Sequence, residues 1–241
     1  MDIRQVQLAT RSLADTVRFY ERLGCSVEIV DTTVRIVVGS TLLVFRELPE
    51  MTGALHLAIA IPTGTFDAAK AWIAGLTTVL GTADQDEFEG PPNWNSRSVY
   101  FEGPDQQLLE LIERRDLEPG ARRVGVGAGA GAGDGDGAGD GTGTGSDSDA
   151  GVPLVSVSEV GVPVPDVLGA ASALRRAGLE PYANPPGESF AAVGDVDGLV
   201  ILVSPDRRWF PTGDRSPSSA PVVIDVGLDA PVGLTEGVLL R

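Results

Sequence analysis

The chain has 241 residues, with 34 Asp and Glu against 18 Lys and Arg, and a formal net charge of −16. That balance repels nucleic acid and anionic membranes and argues against either as a partner. No run of about 18 apolar residues offers a membrane-spanning helix, and the N-terminus alternates from its first residues instead of carrying a basic then apolar leader, so the expected location is cytoplasmic. Cys25 is the only cysteine, which excludes an intramolecular disulfide and a cysteine-based metal cluster. Lys70 is the only lysine. An acidic, lysine-poor chain fits either a GC-rich genome or a salt-adapted cytosol, where screening over a few Å suppresses self-repulsion; the halophilic reading is the expectation taken here.

In chain order, residues 3–10 alternate as a strand. Ser12, with Asp15 three residues on, reads as a helix N-cap. Leu13, Val17, Tyr20 and Leu23 follow at helical spacing, and Gly24 suits the C-cap. Three short β-type runs follow at 26–30, 34–38 and 41–46, completing one βαβββ unit. The pattern restarts with a strand at 54–61, a helix from Phe66 to about Gly75, and runs near 77–79, 98–101 and 107–113. A long loop at 84–95 interrupts this second unit and contains Pro91, Pro92, Asn93, Trp94 and Asn95.

Residues 124–151 are almost all Gly, Ala, Asp, Ser and Thr. Such a stretch has too little side chain to bury to offset its ordering entropy, and a flexible linker is expected at 121–152. The pattern then restarts a third time: a strand at 154–164, Asp166 as N-cap of a helix reaching Gly178, then runs at 180–182, 189–193 and 199–204. Val6-Gln7-Leu8-Ala9 and Val160-Gly161-Val162-Pro163 are 154 residues apart, and so are Leu23-Gly24 and Ala177-Gly178. A constant offset across strand and helix marks an internal repeat. The expected organisation is a two-unit domain at 1–120, the linker, a third unit at 153–212, and a Pro/Ser-rich tail at 213–241 with one strand near 222–226.

Three polar residues are out of place in apolar strands. His56, the only histidine, lies in Leu55-His56-Leu57-Ala58-Ile59, where a buried imidazole needs a partner or a ligand. Glu110 lies in Leu108-Leu109-Glu110-Leu111-Ile112, where a carboxylate must be paired, protonated or coordinating, unless that strand face is solvated. Gln5 shares a face with Gln7 on the first strand. Aligning the repeats puts Gln5, His56 and Glu159 at equivalent positions of three first strands.

Paired βαβββ units resemble the vicinal oxygen chelate superfamily, which includes glyoxalase I, extradiol ring-cleaving dioxygenases and fosfomycin- and bleomycin-resistance proteins. The likeness rests on residues 3–24 with Arg18-Phe19-Tyr20-Glu21-Arg22-Leu23-Gly24, on Leu55-His56-Leu57-Ala58, and on Ser98-Val99-Tyr100-Phe101-Glu102-Gly103-Pro104-Asp105 leading into Leu109-Glu110-Leu111. The resemblance implies an α+β fold whose paired βαβββ modules form a cup-shaped mixed sheet, with the third module after the linker. It implies a divalent metal (Fe, Mn, Ni or Zn) at the base of the cup, held by Gln5, His56 and Glu110. Glu110 doubles as the proton acceptor, and a small substrate presents two neighbouring oxygens to the ion. Asn93, Trp94, Asn95, Arg97 and Tyr100 are expected to line the mouth and bind substrate, and Trp72 and Trp209 to be packing residues. A homodimer is compatible with the family.

Two departures from that pattern stand out. Gln5 replaces the histidine of the dioxygenases, and the last strand of the first unit reads Leu42-Leu43-Val44-Phe45 where glyoxalases carry a glutamate. The third copy places Leu202 where the second has Glu110, so no like metal site is expected in it. A non-catalytic, resistance-type binding protein that uses the same cup without metal is the alternative, and a purely structural role is the third.

Overall fold

The computed structural model describes residues 1–117 and 151–241. Almost all of the expected linker lies outside the described residues. The first unit comprises β1 (Gln5–Thr10), α1 (Leu13–Arg22), β2 (Ser26–Val30), β3 (Thr33–Val38) and β4 (Thr41–Glu47). The second comprises β5 (His56–Ile61), α2 (Phe66–Leu76), β6 (Val79–Leu80), β7 (Phe88–Glu89), β8 (Ser96–Glu102) and β9 (Leu108–Arg114). The third comprises β10 (Ser156–Pro163), α3 (Val167–Arg176), β11 (Phe190–Asp195) and β12 (Gly198–Val203). The tail adds β13 (Val222–Asp225), β14 (Val232–Thr235) and β15 (Val238–Leu240).

The local signals act as their chemistry dictates. The Ser12 hydroxyl accepts from the Asp15 N–H at 3.2 Å, and the Asp166 carboxylate accepts from the Gly169 N–H at 2.8 Å, so α1 and α3 start on equivalent caps. Gly24 and Gly178 end those helices at φ +74° and +91°, a region that favours glycine.

Two mixed sheets carry the fold, in the orders β14-β15-β13-β1-β4-β3-β2 and β11-β12-β10-β5-β9-β8-β6, with β7 paired to β8. The orders match position by position. Each has two first strands, antiparallel to one another, at its centre: β1 with β13, and β5 with β10. Parallel to each first strand runs the last strand of its own unit. The tail is therefore a fourth unit without its helix. In the third unit the expected strand at 180–182 is reduced to a single bridge, Pro181 to Val193.

This pairing corrects one expectation. The first two units do not close one cup together; the second closes with the third, and the first with the tail. Alternation in a strand fixes which face is apolar, not which strand lies beside it. One face of each sheet, with Val6 and Leu8, Leu57 and Ile59, Val160 and Val162, and Ile224, joins the helices in a common core around Tyr20, Phe66 and Leu174. The opposite faces carry the polar residues. No helix among the described residues is long and apolar enough to cross a membrane.

Candidate metal centre

Ala58 stands at the middle of the second sheet. Its register partner on β9 is Glu110, and its partner on β10 is Glu159. His56 lies two residues earlier on β5, so the pleat puts it on the same face. With only a methyl at residue 58, the three larger side chains converge above it. The His56 Nε2 is 3.7 Å from the Glu110 Oε2 and 4.0 Å from the Glu159 Oε2. One donor atom from each of the three lies within 4.8 Å of the others, and all three residues are buried.

A bulge makes this possible. The register between β10 and β5 shifts between Val157 and Glu159. Val157 and Val160 are three residues apart, yet both enter the common core. The extra residue between them turns Glu159 to the cup face, a device that re-aims a side chain at the cost of one ladder position. Gly161, opposite His56 on β10, matters for a different reason: a β-carbon there would come within 2.6 Å of the Trp209 ring and 3.0 Å of the His56 β-carbon. The imidazole and indole meet over it at 5.2 Å between centroids.

The imidazole is oriented by the backbone. The His56 Nδ1 lies 3.2 Å from the Leu108 carbonyl, so Nδ1–H donates there and Nε2 presents its lone pair to the two carboxylates. Burial lowers the His56 pKa to about 4, against a smaller opposing effect of the Leu108 bond. The ring is neutral at neutral pH. Burial, then the charge of Glu159, raises the Glu110 pKa to about 8, partly offset by a hydrogen bond from Ser98, by Arg114, and by a hydrogen bond from Tyr100. At 3.7 Å, with neither group charged at neutral pH, His56 and Glu110 form a spaced donor pair and not a salt bridge. Burial also raises the Glu159 pKa, against the pull of Arg114.

Arg114, the last residue of β9, is 1% exposed. It donates from Nη2 to the Glu159 Oε1 and from Nε to the Ser158 hydroxyl at 3.1 Å. Its guanidinium lies 5.5 Å from the Trp94 ring centroid and 5.7 Å from that of Tyr182. One carboxylate oxygen of Glu159 is thus held from behind while the other faces His56.

The donor set suits a metal. Ligand distances of about 2.0–2.2 Å put adjacent donors about 3–3.6 Å apart, a little closer than the spacing found here. Imidazole with two carboxylates fits Fe, Mn, Ni or Zn better than a soft ion. An Nδ1–H anchored on a carbonyl is the outer-shell contact that metal-binding histidines make. Above the three donors opens a cavity of about 550 Å³ walled by Phe88, Trp94, Tyr100, Phe190, Trp209 and Phe210.

Several expected site residues lie elsewhere. Gln5 is on β1 in the other sheet, opposite Leu42 and Asp225; Glu159, its counterpart in the third unit, stands beside His56 instead. Trp94 and Tyr100 line the cavity as expected. Asn93 does not line it, and ties the second unit to the third by donating to the Ala183 carbonyl and the Asn184 side chain at 3.0 and 3.2 Å. Asn95 donates to Asp116 at 2.6 Å. Arg97 is on the wrong face of β8: Ser96, Ser98 and Tyr100 face the cup, so Arg97 turns toward α2, pairing with Asp67 and Glu87 and stacking on Phe66. Trp209 lines the cavity besides packing, and its indole N–H donates to the Ala54 carbonyl at 2.9 Å. The third-unit counterpart of Glu110 is Ile201, two residues beyond Leu199 in register, and not Leu202, which faces the core.

No family sequence model matches the chain, and no curated protein is a significant sequence match. Solved structures do match. A Bacillus subtilis protein designated a dioxygenase superposes with a TM-score of 0.57 at 14% identity, over 93% of this chain and 70% of that one. A single-residue variant of glyoxalase I from Zea mays superposes with a TM-score of 0.50 at 14% identity, over 93% and 74%. The likeness at this identity is one of fold: the chain shares the paired βαβββ architecture of these two structures.

Proposed function

We propose that the protein is a divalent-metal-dependent enzyme of the vicinal oxygen chelate type, acting on a small substrate with two neighbouring oxygens, with His56, Glu110 and Glu159 as the metal ligands. The observation that carries this reading is His56: a neutral imidazole anchored at Nδ1 with Nε2 aimed between two buried carboxylates. A buried His/Glu/Glu set with no role would be a costly arrangement to keep. When bound, the ion supplies Lewis acidity toward the two substrate oxygens. The residues around it do the rest. Glu110, held by Ser98 and Tyr100, is protonated at neutral pH while the site is empty, its pKa raised to about 8; its ionised form, favoured beside a bound cation, is the form that can accept a proton. The aromatic walls exclude water and align a flat substrate.

The test is metal analysis of full-length protein purified without chelator. We expect one bound equivalent per chain, an affinity lowered about 100-fold or more by His56→Ala, Glu110→Gln or Glu159→Gln, and no change on Gln5→Ala. No stoichiometric metal, together with no thermal stabilisation by Fe, Mn, Ni or Zn, sinks the proposal. One observation favours a metal-free binding protein as second reading: Arg114 already balances Glu159. A small ligand that raises the melting temperature of chelator-treated protein, where no metal does, selects that reading.

A further inference from the structure

After β12 the chain forms a strap across the cavity mouth before it reaches β13. The strap is pinned to the second unit: Arg215 donates to Glu102 at 2.8 Å and to the Gln106 carbonyl at 2.9 Å, and Ala54 bridges to Pro217. Its tip carries Arg207, Arg208, Trp209 and Phe210, all of which line the cavity. Neither arginine forms an ion pair among the described residues. Arg207 lies 5.1 Å over the Phe190 ring, and Arg208 donates to the Ser216 hydroxyl and, at 3.3 Å, to the Asp214 carbonyl, neutral acceptors both. The Asp214 carboxylate is an exposed neighbour that does not line the cavity. Glu89, the acidic residue of the rim, is closed off by both terminal nitrogens of Arg115 at 2.9 Å.

A chain with 34 acids and 18 basic residues has a surface that repels anions. Its cavity mouth nevertheless presents two guanidinium groups that no carboxylate of the described residues pairs with; the one carboxylate whose charge Arg208 meets, Asp214, is exposed and does not line the cavity. Guanidinium forks match oxyanions and stack on rings, and the walls below them are aromatic. We propose that the cup takes an aromatic carboxylate, its ring held among Trp94, Tyr100, Trp209 and Phe210 and its carboxylate against Arg207 and Arg208. This names the substrate class of the site proposed above; it rests on that site being a small-molecule cup and does not require the metal.

The experiment uses chelator-treated, full-length protein at physiological ionic strength, titrated with 2-naphthoate and with its neutral carboxamide. Tryptophan quenching or calorimetry is the readout. The carboxylate should bind about tenfold tighter or more, and that preference should shrink as salt is added. Arg207→Gln/Arg208→Gln should bring the ratio close to one and leave the carboxamide affinity and the melting temperature unchanged, since both residues are exposed. Equal affinities for the two probes, no binding of either, or a preference that survives the double substitution overturns the inference. A protein that holds metal at His56 yet shows no preference sinks this inference alone. One that prefers the carboxylate but holds no metal sinks the metal reading alone.

Discussion

The two sheets share one strand order, yet their polar faces are built oppositely. In the second, a methyl at Ala58 is flanked in register by Glu110 and Glu159, with His56 two residues before and Gly161 opposite that histidine. In the first, the place of Ala58 is taken by Gln7, flanked by Val44 and Val223, with Gln5 at the histidine's place and Asp225 at the glycine's. One sheet has a small centre flanked by carboxylates; the other has a polar centre, Gln7, flanked by valines. The residues of the first face are half-buried, whereas those of the second are buried beneath the strap. The fold supplies two equivalent platforms, and the residues at five positions set the second apart from the first.

If the second platform keeps its polar groups for function, they should carry a stability cost that the first lacks. The largest measurable effect is at Arg114. Arg114→Met leaves Glu159 buried and unpaired, which should destabilise the protein by roughly 3–5 kcal/mol. Denaturant unfolding should show a smaller loss at pH 5 than at pH 8, because a protonated Glu159 needs no partner. Adding Glu159→Leu should recover most of the loss. An Arg114→Met protein as stable as wild type at both pH values would mean that the pair is not buried in solution.

The next effect is in pH. In metal-free protein the Glu110 pKa is raised to about 8, above its unfolded value, so its contribution to stability is present at low pH and lost as pH rises through about 8. His56 runs the other way: its pKa is lowered to about 4, so its contribution is present above its unfolded value and lost as pH falls through about 4. Above pH of about 6.5 His56 no longer contributes, and Glu110 by itself should cost the chain roughly 2 kcal/mol of stability up to pH of about 8, with Glu159, its pKa also raised by burial, acting in the same sense. Glu110→Gln should flatten that fall. A wild type whose stability is level over this window would place the Glu110 proton elsewhere.

Much of this was legible in the sequence, and the rest was hidden for identifiable reasons. The 154-residue offset aligned Gln5 with Glu159, and the apolar runs around His56 and Glu110 marked both as anomalies. The neighbour of β5 was not legible: β1, β10 and β13 all present one apolar face, and alternation cannot say which of them lies alongside. The bulge at Ser158 leaves no mark in a run that reads Ser-Val-Ser-Glu-Val. Arg114 beside Arg115 looks like a solvated strand end. Its burial follows from Glu159, 45 residues later and beyond the linker. Arg97 was misplaced because the strand was expected to begin at Ser98; β8 begins at Ser96, and within it Arg97, three residues from Tyr100, takes the opposite face.

The smallest effect tests the close approach that the first platform does not need. Asp225 can occupy the place opposite Gln5, but a side chain opposite His56 cannot be accommodated without movement. Gly161→Ala adds a β-carbon 2.6 Å from the Trp209 ring and 3.0 Å from the His56 β-carbon. No unusual backbone angle is involved, so the whole cost is overpacking, on the order of 1 kcal/mol. The Trp209 ring edge is the more yielding contact, and its shift should show as a changed tryptophan emission. His56, fixed at Nδ1 by Leu108, should be displaced less, and metal affinity should fall by about tenfold or less. Metal loss as complete as in His56→Ala would show that the imidazole is held by packing against Gly161 and not by the Leu108 carbonyl. An unchanged affinity with shifted emission would show that the carbonyl alone is enough.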